Sequence, residues 1–391
     1  MKKVISVLVI GLMLLVSTNT VMAADNTLDI EKVAIQSIKN SPVVQSINRQ
    51  VTNAQKNYAD ITAMANGLRG SLHYQNSYQT VEAIVLQPLE FKNILTQVTN
   101  GQLVGTNAIR LSAYKAYINL LKANYSLNIQ QGLMSGFDAD YKKAYLQQTL
   151  GMISQSQLRL SEIADLKSRY KYNSAQKGVD SATMSINNLM GEDLSTQYST
   201  LQDYNIIPAA QIKSLSDYVN LALANRADII NAQSTLDIKN KEYEYGKAEI
   251  PTDFQFYMQQ QQYAIDSAQN DLDLAKINVQ LDITKLYNTL GSVMKNMEAM
   301  KDLNDQAVLT YQAAEIKYQN SQISLLEFDD AKVVKAQADV NYKNAQLDVW
   351  LTQTTMDSAC GIGYIPPSMS GFSSQAKSKN KPNPTNRKDR D

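Results

Sequence analysis

Three carboxylates lie within four positions of one another, at Glu327, Asp329 and Asp330. They follow a short stretch, residues 319–326, that interrupts a long run of helix-forming sequence. Ser324, and Ser154 at the equivalent place earlier in the chain, are suited to cap returning helices. Each carboxylate in a first helical turn is stabilised by ~0.3–1 kcal/mol through the helix dipole. Glu327 and Asp330, spaced i, i+3, share one face of that helix. We therefore predict a turn followed by a helix that carries all three acids in its first turn.

Residue types that perform catalysis are scarce in this chain. His73 is the only histidine, which argues against His-based triads and against metal sites built from several histidines. The sequence has no glycine-rich phosphate loop, and we interpret Gly132 and Gly136 as a helix irregularity. The lone Cys360 is interpreted as a small buried hydrophobic residue. We expect a protein that is not an enzyme and that has no cofactor and no metal site.

The two ends of the chain differ in composition from its body. Lys2 and Lys3 precede a short apolar run, and small residues follow, so residues 1–23 are predicted to be a signal peptide that exports the protein. Residues 363–391 combine four prolines with six Lys/Arg and two Asp, and are predicted to form a disordered basic tail. Without these two segments the chain has 29 basic and 35 acidic residues, which argues against nucleic-acid binding by the body.

The sequence contains an internal duplication. Asn40, Lys56 and Tyr58 recur at an offset of 185 as Asn225, Lys241 and Tyr243. Tyr141, Ala144, Ile153 and Ser154 recur at an offset of 170 as Tyr311, Ala314, Ile323 and Ser324. The offset falls by about fifteen residues, which indicates an insertion in the first copy near residues 67–85.

Apolar residues spaced by threes and fours form a narrow, alanine-rich seam in each copy, typical of helices that pack along their length. The predicted helices are 28–64, 90–148 and 152–190 in the first copy, and 214–247, 257–319 and 323–358 in the second. At ~1.5 Å per residue, a helix over 257–319 is ~95 Å long. No single globular core covers rods of this length, so we expect other copies of the chain to supply the partner surface.

The chain resembles the TolC family of outer-membrane efflux and secretion channels over residues 28–361. The resemblance depends on the duplication, on the helix starts "NSPVVQ" and "ALANRADI", and on the turn motifs "LGMISQSQL" and "NSQISLLEF". It implies an all-α fold of long antiparallel coiled-coil helices in two tandem repeats, which trimerise into an α-barrel tube. The repeats would occupy 24–191 and 214–362, joined by a linker, 192–213.

The resemblance also implies functional residues. Glu327 and Asp330 match the family's acidic positions at the periplasmic aperture, where a threefold axis would form carboxylate rings that favour cations. Gln157 and Leu160 replace them in the first copy. The turns 148–154 and 319–324 would contact a periplasmic adaptor that also binds an inner-membrane pump. The candidate contacts are Gly151, Met152, Ser154, Asn320, Ile323 and Ser324.

The sequence departs from the family where members add two membrane strands to each copy. Residues 70–89 offer barely two short strands, and residues 246–258 are too short for two and contain Pro251. We expect little or no β-barrel, with outer-membrane association left open. The predicted function is the exit duct of a tripartite efflux or type I secretion system in the cell envelope. The alternative is an exported structural or adhesive coiled-coil protein, and neighbouring genes for an adaptor and a pump would favour the duct.

Overall fold

The computed structural model describes residues 27–71, 78–248 and 254–364. The helices are α1 (Ile30–Asn40), α2 (Pro42–Ser71), α3 (Tyr78–Val81), a π-helical turn (Glu82–Leu86), α4 (Gln87–Thr149), α5 (Gln155–Met190), α6 (Leu215–Asn225), α7 (Ala227–Ala248), α8 (Phe254–Gln319) and α9 (Leu325–Cys360). Two short strands, β1 (Thr27–Leu28) and β2 (Thr200–Leu201), pair in parallel. The predicted fold of long antiparallel helices is confirmed. The predicted signal peptide, His73 and the tail beyond Tyr364 lie outside the described residues.

The helices form a row of four columns. Helices α2 and α5 both lie along α4, whereas α7 and α9 both lie along α8. Helix α4 also contacts α7 and α9, so it joins the first copy to the second. The order across the row is therefore α2 and α5, then α4, then α7 and α9, then α8. None of the helices in the described ranges is long and apolar enough to cross a membrane.

Two buried cores lie where the shorter helices of each copy meet a long one. The first packs residues of α1 and α5 around Tyr117 and Ile118 of α4. The hydroxyl oxygen of Tyr117 lies 2.8 Å from the carbonyl oxygens of both Leu28 and Gln202, which share its one hydrogen. The second packs α6 and the end of α9 against Val279 and Ile283 of α8. Cys360 is buried in the second core, as the sequence indicated.

The contact between α4 and its second-copy neighbours changes chemistry along its length. In the half nearer residue 87, three neutral hydrogen bonds join α4 to α7. They are Asn93 to Ser234 (2.7 Å), Gln97 to Thr235 (3.0 Å) and Asn100 to Asn231 (2.7 Å). In the other half, ion pairs join α4 to α9, between Lys122 and Asp348 and between Asp140 and Lys332. We call these the neutral seam and the ionic seam.

The first short helix of each copy is broken, which corrects the prediction of continuous helices over 28–64 and 214–247. Ser41 and Arg226 both adopt extended backbone angles between the helices that flank them. Pro42 explains the first break, because the residue before a proline is disfavoured in the helical region. No proline follows Arg226, and tertiary contacts hold the second break instead.

Arg226 carries those contacts. Its buried guanidinium pairs with Asp228 and Asp282, each at 2.8 Å, and the amide of Ala227 donates to the carbonyl of Ile362 at 3.0 Å. An asparagine before each break makes the same kind of bond to the end of another helix. The side-chain amide of Asn40 donates to the Met190 carbonyl, and the side-chain amide of Asn225 donates to the Cys360 carbonyl. The end of α9 is therefore fastened to the α6–α7 junction.

The described part of segment 70–89 contains no strand, because residues 78–89 are helical, which agrees with the weak strand pattern of the sequence. Pro88 has no amide hydrogen for the carbonyl of Ile84, and a proline ring crowds the carbonyl four residues before it. The π-helical turn falls at this point, and the guanidinium of Arg69 donates to the Ile84 carbonyl at 2.8 Å. Residues 254–258 are helical as well.

Replacing Arg226 with Met is expected to lower the free energy of unfolding by about 3 kcal/mol, because two carboxylates lose a buried partner. Urea-induced unfolding followed by circular dichroism measures this loss. The matched control is Arg159→Met, which removes an exposed guanidinium paired with Glu162 and is expected to leave the midpoint unchanged. Equal midpoints for both variants would contradict the fastening role of Arg226.

Candidate functional site

Helices α4 and α5 form a first hairpin, and α8 and α9 form a second. The two hairpins end in turns with the same backbone hydrogen-bond pattern. We call residues 148–154 the first tip and residues 319–324 the second tip. In the first tip the amide of Met152 donates to Gln147 and the amide of Gly151 donates to Gln148. In the second tip, Gln322 donates to Lys317 and Ser321 donates to Tyr318. This pair of bonds satisfies the last carbonyls of the helix and requires a left-handed residue.

The left-handed position is filled differently in the two tips. Gly151 has a φ of 69°, and Ser321 has a φ of 56° at the equivalent place. A residue with a β-carbon is strained there, whereas glycine is not. Ser321 is the only residue other than glycine with a positive φ in the described ranges. Its alignment with Gly151 at the offset of 170 was a usable signal for this position in the sequence.

Both returning helices begin with the same capping box. The hydroxyl of Ser154 accepts from the amide of Gln157, and the side chain of Gln157 accepts from the amide of Ser154 at 2.8 Å. Ser324 and Glu327 make the same two bonds, with the carboxylate at 2.8 Å from the Ser324 amide. The predicted capping by both serines is confirmed. These bonds from the Ser324 amide and hydroxyl lower the pKa of Glu327.

The prediction that all three acids lie in the first turn of α9 is wrong for two of them. Leu325 and Leu326 occupy the first two helical positions, so only Glu327 falls in the first turn. Asp329 and Asp330 lie one turn further on. Asp330 is exposed on the same face as Glu327, whereas Asp329 is buried. The dipole of α9, which acts on the first turn, is therefore not the main influence on the buried Asp329 carboxylate.

Asp329 belongs to a charged cluster that connects the two hairpins. Its carboxylate lies 3.1 Å from the ammonium of Lys332, which lies 2.8 Å from the carboxylate of Asp140 on α4. Burial raises the pKa of Asp329 to about 6, and Lys332 opposes this increase. Burial acts to lower the pKa of Lys332, but the two carboxylates outweigh it and the pKa is raised. The i, i+3 spacing of Asp329 and Lys332 was a usable signal for the pair within α9, but nothing in the sequence indicated Asp140.

Aromatic side chains of α8 and α9 pack together next to the second tip. The ring of Phe328 stacks on Tyr318 with centroids 4.8 Å apart and on Tyr311 at 5.8 Å. The ammonium of Lys143, from α4, lies 5.9 Å from the centroid of Tyr318. The second tip is thus held by both its own hairpin and the neighbouring one.

The predicted adaptor contacts lie at the outer surface of the two tips. Gly151, Met152, Ser154, Asn320 and Ser324 are exposed, and Ile323 is partly buried. The sequence analysis missed two further apolar side chains that the structure exposes there, Leu150 (66%) and Leu326 (53%). A cavity of about 180 Å³ lies between the tips and is lined by residues of both, including Ile153 and Ser324. Both tips therefore contribute to one continuous surface.

Gly132 and Gly136 do not make α4 irregular, which corrects their interpretation from the sequence. Helix α4 continues through both positions, and a β-carbon added at either would meet no atom within 4 Å. A glycine inside a helix costs ~1 kcal/mol relative to alanine, and packing along a 63-residue helix outweighs that cost. Among the described residues, no group of three or more His, Cys, Asp or Glu is placed to hold a metal ion.

Comparison with known proteins identifies the fold. No protein-family model matches the sequence, and no curated protein matches it. Several solved structures match most of the chain. CusC is 13% identical, with a TM-score of 0.64, over 85% of this chain and 92% of its own. The outer membrane protein VceC from Vibrio cholerae is 11% identical, with a TM-score of 0.63, over 86% and 97%. The outer-membrane channel OprN is 11% identical, with a TM-score of 0.63, over 85% and 90%.

These likenesses establish that the chain has the fold of outer-membrane channels. The resemblance to the TolC family is confirmed at the level of the fold, because this chain matches 90–97% of the length of each of these solved structures. The identities are 11–13%, so the likeness extends to the fold and not to individual residues at the two tips.

Gly151→Ala and Gly132→Ala are expected to change stability in opposite directions, although both add one methyl group in open space. Gly151 has a positive φ, so alanine there is expected to lower the free energy of unfolding by ~1 kcal/mol. Gly132 is helical, so alanine there is expected to raise it by up to ~1 kcal/mol. Ser321→Gly should raise it as well, because it relieves strain. Urea unfolding of the three variants measures the signs, and a stabilising Gly151→Ala would contradict the assigned turn.

Proposed function

We propose that this protein is the exit-duct component of a tripartite efflux or type I secretion system. In this proposal three copies form a periplasm-spanning channel that is gated at the hairpin tips. A periplasmic adaptor docks on the tips and connects the duct to an inner-membrane pump. Residues 1–23 direct export of the protein to the cell envelope, at the outer membrane or in the periplasm. The likeness to solved outer-membrane channels supports this proposal.

The row of helical columns has two unpaired edges, and this observation carries the proposal. Helix α5 lies at one edge and α8 at the other, and the two make no extended contact within the described residues. Each edge exposes large apolar side chains at helical spacing. They are Leu166 and Tyr170 on α5, and Leu274, Ile277, Leu281, Leu309 and Ile316 on α8.

A flat row with two apolar edges is stabilised by further copies of itself. The edges differ in sequence, so the contact is head to tail, and a head-to-tail contact generates a ring when the rotation closes. Three copies of a four-column row give a closed tube of twelve columns. A ring buries every edge and leaves a hollow along its axis.

Glu327 and Asp330 are proposed to form stacked rings of carboxylates at the narrow end of this hollow. Both are exposed and lie on the same face of α9. Gln157 accepts the same capping bond in the first hairpin that Glu327 accepts in the second, and it has no charge. Capping at this position therefore does not require a carboxylate. A cluster of negative charge at a narrow opening favours cations over anions.

The tips are proposed to receive the adaptor. Met152 and Leu150 have exposed fractions of 67% and 66%, and they lie beside the left-handed Gly151. Exposed apolar side chains on a rigid turn are suited to an interface in which the partner supplies apolar residues. The proposed contacts of the first tip are Gly151, Met152 and Ser154, and those of the second tip are Asn320, Ile323 and Ser324.

Glu327→Gln with Asp330→Asn is expected to lower the cation selectivity of reconstituted channels without unfolding them. Glutamine keeps the cap, as Gln157 does in the first copy, so only charge is removed. Reversal potentials in a salt gradient across a planar bilayer measure selectivity. The control is Asp305→Asn, which removes an exposed carboxylate from α8. Unchanged selectivity in the double variant would remove the ring assignment.

Leu274→Glu with Ile277→Glu is expected to convert trimers to monomers, because each copy would place buried charges in one edge contact. Sedimentation velocity of the mature protein, with and without detergent, measures the mass. The control is Ile207→Glu, whose side chain is 74% exposed in the segment between the copies. A wild-type chain that sediments as a monomer under both conditions would contradict the proposed tube.

A further inference from the structure

The cluster of Asp140, Lys332 and Asp329 holds an unbalanced charge. Two carboxylates share one ammonium, at 2.8 and 3.1 Å, so the group has one excess negative charge when all three are ionised. Asp329 has an exposed fraction of only 6%. A buried charge without a full partner is unfavourable, and it disappears if one carboxyl takes up a proton. Asp329 is the more buried of the two carboxylates.

Other charged and titratable groups face this cluster from every neighbouring helix. Helix α4 contributes Asp140 itself, and its Lys143 is directed towards Tyr318 of α8. Helix α5 contributes Lys167 and Lys171, which line the same cavity as Asp329 and Asp330. Arg169 of α5 is already paired with Asp165 and Asp138. The two lysines of α5 partly offset the excess charge, but the structure records no ion pair between them and Asp329.

The contact between α9 and α4 is bordered by open space at this level. Cavities of about 540 Å³ and 250 Å³ flank the contact, and both are lined by Leu133 and Phe137 of α4. The charged cluster therefore lies between these two cavities, where α9 meets α4. A change in its charge acts directly on how firmly the second hairpin is held against the first.

We propose that Asp329 is a proton-sensitive switch, and that protonation of its carboxyl favours the state in which α9 is packed against α4. The proposal rests on the proposed function, because it assigns a trigger to the gate at the hairpin tips. Acid is therefore expected to close the duct, and neutral pH to loosen it.

The direction follows from proton linkage. The packed state raises the pKa of Asp329 from 3.8 to about 6, mainly through burial. In an open state with Asp329 in water the carboxyl has its ordinary pKa. The packed state therefore binds the proton more tightly, and it is favoured as the pH falls through about 6 towards about 4. A gap of about two pKa units corresponds to a change of up to about a hundredfold in the ratio of closed to open.

The test measures the distance between the two tips directly. Cysteines introduced at the exposed Ser156 and Gln322, in a Cys360→Ala background, carry spin labels. The labelled chain is diluted into unlabelled Cys360→Ala protein, so that each trimer holds one labelled copy. Double electron–electron resonance at pH 4.5 to 8 then records the distribution of tip-to-tip distances.

Two variants give the expected pattern. The parent protein should show a longer-distance population that declines on acidification with a midpoint between about pH 4 and about pH 6. Asp329→Asn should stay at the short distance throughout. Asp140→Asn should move the midpoint to lower pH, because it removes the neighbouring negative charge that raises the pKa of Asp329. Asp305→Asn is the control and should keep the parent's midpoint.

The proposal is overturned if the distances do not depend on pH, if the tips separate on acidification, or if Asp329→Asn keeps the transition. These distances are measured without any transport, so they are independent of the duct assignment. A distance transition that depends on Asp329, in a protein that forms no conducting pore, would overturn the proposed function and leave the switch standing. A conducting pore without the transition would do the reverse.

Discussion

The length of the helices is the constraint on which this architecture depends. Helices of 63 and 66 residues are ~95–100 Å long, and no compact core can cover such surfaces. The largest fully buried side chains gather near the middle of the molecule, around Tyr117 of α4 and around Ile283 of α8. Away from that level the columns have neighbours on some sides only. A single copy therefore has its fold but leaves apolar edges uncovered.

Helix α4 has a different position from α8 although the two are copies of one another. It is flanked on both sides within one chain, by α2 and α5 of its own copy and by α7 and α9 of the other. Helix α8 has neighbours of its own copy on one side only. The duplication thus gives two similar hairpins with different surroundings. The acidic positions lie on the hairpin that contains this edge helix.

Local signals in the sequence predicted the local features of the structure. Ser154 and Ser324 read as caps because a capping residue needs only its own helix, and the seam spacing predicted α8 to within three residues of both ends. The break at Arg226 was not predictable, because Asp282 stabilises it from 56 residues away. The burial of Asp329 depends likewise on α4. The course of residues 78–89 was not predictable either, and in the structure they are helical and bury Ile84 and Leu86. Features set by long-range contacts are invisible to spacing.

The two seams along α4 divide the molecule by its response to electrolytes. Amide and hydroxyl groups hold the neutral seam, and dissolved ions screen such bonds hardly at all. Charged side chains hold the ionic seam at separations of 2.5 and 2.8 Å, and because these groups are only partly buried, dissolved ions weaken their attraction to a modest degree. The strength of the neutral seam is therefore independent of the salt concentration, whereas the ionic seam, nearer the tips, weakens as the salt concentration rises.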